Sequence, residues 1–322
     1  MSTISPTQHK AHPHVHSAIE VAALDKPPAL RPSSRPEQIR DLTSFFEEVS
    51  ISSTTSPPAS SRSTPKLKRE QNRRTKKDQE SSYLVRSKRS EMASRDAKVA
   101  PSRASGGIPD PTRPYLSTSA IPAIPLTTPQ HLLVIIDLNG TMVFRPSRKA
   151  PTKYVPRPHA KRFLEYCINT FNVIIWSSAK PENVNYIVDS IISPELRKQV
   201  IAIWGRDKFG LSPKDYDMRV QCYKRLTTIW DHPLVAKSHP EFASGGRWDQ
   251  TNTVLVDDSV EKGRSEPFNI IKIPEFFGDA NERGEILPQV HDYLNYLSLH
   301  SNVSACLRAT PFRVQAASMQ VP

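Results

Sequence analysis

The sequence predicts an α/β domain on a mostly parallel sheet with helices on both faces, carried behind a long region without a core. Three observations predict it. Short continuous apolar runs, such as the one that begins at His131 and ends in Asp137, read as strands buried on both faces. Between them, apolar residues recur at i, i+3, i+4, i+7 and i+8, the spacing of one helical face. The composition also changes near residue 128: 16 of the 30 prolines lie before His131, and apolar residues there are too sparse to offset the entropy of ordering.

The elements follow in order. After the strand His131–Asp137, the positions Ala160, Phe163, Leu164, Cys167 and Ile168 define a helical face. Asn172–Trp176 is the next strand. Pro181 suits a helix's first turn, and Val184, Ile187, Val188, Ile191 and Ile192 continue it. Val200–Trp204 reads as a strand, and Ser212–Trp230 as a helix capped by Ser212 and begun by Pro213. Thr253–Asp257 and Asn269–Ile273 are strands, Glu285–Leu299 is an amphipathic helix, and the chain after Asn302 reads as loose. Strands alternating with helices require a parallel sheet covered on both sides. The expected organisation is therefore a disordered, basic, Pro/Ser-rich region over 1–128, a folded domain over 129–300 and a flexible tail over 301–322. Thr228–Asn252, with Gly245-Gly246, is expected to form a loop or cap near the site.

Composition excludes several classes. Only 37% of the 322 residues are apolar, and the purest apolar run, Leu132–Ile136, is far short of the roughly 20 residues that span a bilayer. No transmembrane segment is expected. Three cysteines, Cys167, Cys222 and Cys306, are odd in number and widely spaced, with no CxxC. They support neither a disulfide framework nor a structural zinc site.

The net charge of +12 divides into +8 for residues 1–130 and +4 for the rest. Its densest part, Arg62–Lys77, carries eight basic residues against Glu70 alone. Such a run suits a nuclear-import signal or a nucleic-acid contact, and equally a solvated basic stretch. No aromatic residue interleaves it, which argues against stacking on single strands. In the same region Leu42, Phe45 and Phe46 within Ile39–Val49 could form a docking helix. The first fifty residues hold five basic and six acidic groups, a poor match to a mitochondrial presequence. Nucleus or cytoplasm is expected, with the mitochondrion as the alternative.

Ligand chemistry on such a sheet belongs at the carboxyl ends of the strands. Three strands end in oxygen-bearing residues: Asp137, then Ser177, then Asp257-Asp258-Ser259. A carboxylate at Asp137 can attack phosphorus or hold magnesium, with Asp258 as a second ligand. Gly140 lets the backbone approach closely, and the amides of Leu138–Thr141 could hold phosphate oxygens. Ser177 offers a hydroxyl, and Lys224 a cation for charge on a transferring group. Lys208 and Lys214 compete with Lys224 for that role. Phe144-Arg145-Pro146 and Trp248 could read a peptide as readily as pack.

The motifs resemble those of one superfamily. Asp137-Leu138-Asn139-Gly140-Thr141 after a strand is similar to the first motif (DxDGT) of the haloacid dehalogenase superfamily. Val155-Pro156-Arg157-Pro158 before the Phe163-Leu164 helix resembles a segment of its TFIIF-associating and small C-terminal-domain phosphatases, the NLI-interacting-factor-like group. Trp176-Ser177-Ser178-Ala179 matches the second motif, and Val254-Leu255-Val256-Asp257-Asp258-Ser259 the fourth. A bacterial receiver domain also joins Asp, Ser/Thr and Lys, but its acidic pair precedes the phosphorylated Asp. The resemblance implies a Rossmann-like haloacid dehalogenase fold and a magnesium-dependent phosphatase for protein phosphoserine or phosphothreonine. It also implies roles. Asp137 is the nucleophile that forms an aspartyl-phosphate, and Thr141 belongs to the same catalytic motif. Ser177 and Lys224 hold the phosphate. Asp137, Asp258 and the main-chain oxygen of Asn139 hold Mg2+. Kinship alone suggests the RNA polymerase II C-terminal domain as partner.

One position departs from the motif. The family has an aspartate, general acid and then base, where this chain has Asn139, and an amide cannot carry that proton. General acid–base help is worth about 10²–10⁴ in rate. The expectation is a slow phosphatase. The alternatives are a phosphoprotein-binding module with negligible turnover, or a relative of the presequence receptor of the mitochondrial inner-membrane translocase, whose own membrane span has no counterpart here.

Overall fold

The computed structural model describes residues 98–147, 150, 152–282 and 284–315. The basic run Arg62–Lys77 and the segment Ile39–Val49 lie outside the described residues.

A five-stranded, all-parallel sheet forms the centre: β1 (Leu133–Ile136), β4 (Asn172–Trp176), β5 (Ala202–Trp204), β6 (Thr253–Asp257) and β7 (Ile270–Lys272), in the order β5-β4-β1-β6-β7. A two-stranded antiparallel ribbon, β2 (Val143–Phe144) with β3 (Val155–Pro156), follows the first strand. Strand β1 is paired on both edges, with Ile136 opposite Ile175 and Val256. Asp137 therefore leaves the sheet at its centre, beside Trp176 and Asp257. The fold class expected from the sequence is the one observed.

Alternation along the strands sends side chains to two cores. Leu132, Val134 and Ile136 join a cluster with Phe163, Val184 and Leu294, from the helices α2 (Ala160–Thr170), α3 (Pro181–Ile191) and α8 (Ile286–Ser298). Leu133 and Ile135 join Trp176, Trp204, Phe209, Ile229 and Trp248 on the other face. Asp137 continues this second series, so the site opens on the face that carries residues 205–252.

Four expectations are corrected here. The ordered chain begins before residue 129: α1 (Arg113–Ser119) inserts Tyr115, only 5% exposed. Its hydroxyl donates to Asn269 (3.0 Å) and accepts from the Phe268 amide (2.8 Å). A segment too poor in apolar residues for its own core can still anchor one aromatic in a neighbour's. The chain after Asn302 is not loose either. Asn302 caps α9 (Val303–Ala309), accepting from the Ala305 amide (3.1 Å), and buries Val303, Cys306 and Leu307.

The helix expected over Ser212–Trp230 is broken. Ser212 and Pro213 do begin α5 (Pro213–Asp217), but Met218 turns extended and helix resumes only at α6 (Leu226–Trp230). Between them Val220 bridges to Val99, and the Arg206 guanidinium donates to the carbonyls of Asp215, Tyr216 and Met218. Finally, the 228–252 segment does not cap the site. With α7 (Pro233–Ala236) it packs Ile229, Val235 and Trp248 on the sheet face, and the Trp230 indole donates to Thr253 at the amino end of β6 (2.9 Å). Trp248 is 2% exposed and donates to Ser238, so it packs and does not face a peptide. No helix among the described residues is long and apolar enough to cross a membrane.

Candidate active site

The site assembles from the ends of two neighbouring strands and two loops. Asp137 follows β1, Asp257 ends β6, and Asp258 comes next. One carboxylate oxygen from each lies within 4.8 Å of the others. Like charges this close need cations. Two lysines supply them. Lys224 Nζ donates to Asp137 Oδ1 (2.9 Å) and Asp257 Oδ2 (2.7 Å). Lys262 Nζ donates to Asp137 Oδ2 (2.7 Å), Asp257 Oδ1 (2.9 Å) and Asp258 Oδ1 (3.1 Å). Lys224 is 0% exposed and Lys262 6%. Burial alone pushes the Lys262 ammonium down, but the carboxylates of Asp137, Asp257 and Asp258 outweigh it and hold the group well above the usual lysine range.

The break in the predicted helix now has a physical reason. An ammonium at 224 can reach Asp137 and Asp257 only from a chain crossing the strand ends. The Lys224 amide donates to the Lys262 carbonyl (2.6 Å), which ties the two lysine segments together. Beside it, the Arg225 guanidinium donates to the carbonyls of Gly106 and Gly107 (both 2.8 Å). Val99 brackets the same loop, donating to the Arg219 carbonyl and accepting from the Gln221 amide. Of the three lysines weighed for this role, Lys208 faces solvent beside Asp207 at 3.8 Å and Lys214 is exposed. Only Lys224 is in the cluster.

The first loop meets the last strand through Gly140 and Thr141. The Thr141 hydroxyl accepts from the Asp258 amide (3.1 Å) and donates to Asp258 Oδ1 (3.2 Å). Gly140 has φ +86°, and a Cβ there would stand 2.9 Å from the Asp258 carboxyl carbon. Both the backbone and the space require glycine. Gly140→Ala should cost at least about 2 kcal/mol of stability, read as a lower denaturant midpoint. Arg157, 2% exposed, supports the loop from behind. It donates to the Thr141 carbonyl (2.9 Å) while paired with Glu282 (2.7 Å to both oxygens).

Other predicted residues are placed differently. The amide of Gly140 is spent on the Val143 carbonyl (2.8 Å) and that of Thr141 on Leu138 (3.2 Å), so neither is available to phosphate. That leaves the amides of Leu138 and Asn139 from the expected cradle. Asn139 turns its side-chain oxygen to Arg145, accepting from the amide (3.2 Å) and from Nε (3.3 Å). Ser177 follows β4, next to β1. Its hydroxyl accepts from the Ala179 amide (3.4 Å), and among the described residues no hydrogen bond joins it to the lysines or carboxylates. A cavity of about 430 Å³ on this face is lined by Trp176, Trp204, Phe209 and His232; none of the five charged residues lines it, so it does not mark the site.

Sequence reasoning missed Asp257 as a lysine partner, and missed Lys262 altogether. The signal for Lys262 was present: a lysine four residues after Asp258, in a short 3-10 turn (Val260–Gly263) that leaves the last motif.

Comparison with known proteins shows the family. Residues 132–304, more than half of the chain, match the family model for NLI interacting factor-like phosphatases. The chain belongs to that family. The matched residues run from β1 into α9 and include all five charged groups. The domain is thus an FCP1-homology, CTD phosphatase-like domain.

Among relatives, an uncharacterized FCP1 homology domain-containing protein of Schizosaccharomyces pombe is 33% identical over 219 residues, covering 65% of this chain and 87% of its own. A putative CTD phosphatase-like protein of Invertebrate iridescent virus 6 is 26% identical over 141 residues, covering 43% of this chain and 72% of its own. The solved structure of Fcp1, an essential RNA polymerase II CTD phosphatase, is 15% identical with a TM-score of 0.29. The match covers 52% of this chain and 49% of Fcp1, a likeness too low to carry weight.

Proposed function

We propose that this NLI interacting factor-like domain hydrolyses phosphoserine or phosphothreonine esters in proteins, with Asp137 as nucleophile, at a rate limited by Asn139. The observation that carries the reading is the position of Asp137. Its carboxylate is buried, lies at the centre of the strand ends and is hydrogen-bonded by two ammonium groups. A carboxylate oxygen of Asp137 attacks phosphorus, the ester P–O bond breaks, and the serine or threonine oxygen leaves with a proton from solvent. Water then cleaves the aspartyl-phosphate and releases phosphate. Lys224 neutralises charge on the transferring group and keeps Asp137 oriented. The Leu138 and Asn139 amides and the Ser177 hydroxyl complete the phosphate cradle.

The residues fit a divalent ion. Asp137 and Asp258 present hard carboxylate oxygens within 4.8 Å, with the Asn139 carbonyl as a third ligand, the donor chemistry magnesium prefers. Bound Mg2+ would supply charge neutralisation for the phosphoryl oxygens. For substrate, kinship with CTD phosphatase-like proteins suggests the phosphorylated tail of RNA polymerase II, with the nucleus as the matching compartment.

The test is phosphate release from an aryl phosphate and from a phosphoserine peptide, with Mg2+ and with a chelator, for wild type and Asp137→Asn. Weak Mg2+-dependent release by wild type and none by the variant is expected. Phosphopeptide binding with zero turnover in wild type would replace this reading by the binding module, which the capture of the Asn139 side chain by Arg145 favours.

A further inference from the structure

Lys262 contacts both carboxylates that would hold a divalent ion, Asp137 and Asp258. Its ammonium contacts one oxygen each of Asp137, Asp257 and Asp258, at 2.7, 2.9 and 3.1 Å, and so occupies the middle of the three carboxylates. Both oxygens of Asp137 already face an ammonium group, Oδ1 that of Lys224 and Oδ2 that of Lys262. The cluster of three carboxylates and two ammonium groups sums to −1. A divalent ion added beside both lysines would make it +1 in a buried site, whereas the same ion added after one lysine leaves finds −2 and neutralises it.

Lys224 is the less suited to leave. It is fully buried, and its loop is held by Arg225, Arg206 and the backbone pairing with Val99. Lys262 sits on a single 3-10 turn whose neighbour Val260 is 58% exposed. Its side chain keeps 7% exposure, against 0% for Lys224.

We infer that Lys262 is a tethered counter-cation that competes with the divalent ion for Asp137 and Asp258, so that the ion binds only as the Lys262 ammonium swings out. The inference rests on the metal-using reading of the site, and it makes the domain's response to Mg2+ a property of this one side chain. In the absence of the ion, Lys262 keeps the acidic residues from repelling one another. When the ion binds, the freed ammonium becomes a second positive group at the mouth of the site.

The measurement is Mg2+ binding by calorimetry on the full chain, for wild type, Lys262→Met and Lys262→Gln, with no substrate present. Both variants should bind Mg2+ at least about tenfold more tightly than wild type. Each should also melt lower than wild type without Mg2+ and regain most of that loss when it is added. Should the methionine variant fail to fold without the ion, the Mg2+-induced rise in Tm of the glutamine variant, larger than that of wild type, carries the same information. Equal or weaker Mg2+ affinity in the variants would overturn the competition while leaving the metal-using reading intact. Absence of Mg2+ binding in wild type and both variants would overturn both.

Discussion

Asn139→Asp should raise turnover at least about tenfold, and the gain should be larger for a phosphoserine peptide than for an aryl phosphate. An alkoxide is a poor leaving group and needs the proton that a carboxylic acid supplies, whereas a phenolate leaves unaided. The full worth of a positioned acid–base group is about 10²–10⁴, roughly 3–5 kcal/mol of barrier. The structure argues that the single substitution will not reach the top of that range. Arg145 donates both its amide and Nε to the Asn139 oxygen, and the same guanidinium beside a new carboxylate would hold it ionised. An ionised group can take a proton from the attacking water but cannot give one to the leaving oxygen. Asn139→Asp with Arg145→Leu should therefore exceed the single variant, and its activity should persist to higher pH, because the acid form survives further up the scale. Steady-state rates on both substrates from pH 5 to 8 check this. No gain in either variant would mean that proton transfer does not limit this site.

Lys224→Met should destabilise the domain by about 3–5 kcal/mol, the usual cost of removing one partner from a buried ion pair. The methionine keeps the length of the stem but leaves Asp137 Oδ1 and Asp257 Oδ2 without the donors they now have at 2.9 and 2.7 Å. Lys262 alone would then face three carboxylates. Lys208→Met, at a surface position paired loosely with Asp207, serves as the control and should stay within about 0.5 kcal/mol of wild type. Denaturant unfolding reads both. A loss below about 1 kcal/mol for Lys224→Met would show that the carboxylates are relieved by water or protonation, and that the lysine is not what holds them together.

Much of the fold was legible because burial leaves a periodic trace. The short apolar runs at 132–136, 173–176 and 254–256 read as strands buried on both faces, and the helices at 160–170 and 181–191 repeat their apolar positions along one side. Where such a trace was short or shared, it misled. Tyr115 is one aromatic among prolines and serines, and nothing local says that it docks on Asn269. Val303, Cys306 and Leu307 do carry helical spacing, but a single turn of it is a weak signal. The stretch from Ser212 to Trp230 carries start signals for a helix, yet the loop within it answers to distant partners: Val99, Gly106 and the carboxylates of Asp137 and Asp257.

The sequence alone determined which residues end the central strands, because the strand pattern and the position of each acid within it are properties of the local chain. Asp137, Ser177 and the Asp257-Asp258 pair were named on that ground, and parallel pairing brings them to one edge. Tertiary structure decided the cations and the orientations. Which lysine enters depends on the path of a loop bracketed by Arg206, Arg225 and Val99. Where the Asn139 amide points depends on Arg145 six residues on, and that Lys262 joins at all depends on one 3-10 turn after β6. Charge balance in a buried cluster is a sum over groups distant in the chain, and no local pattern encodes a sum.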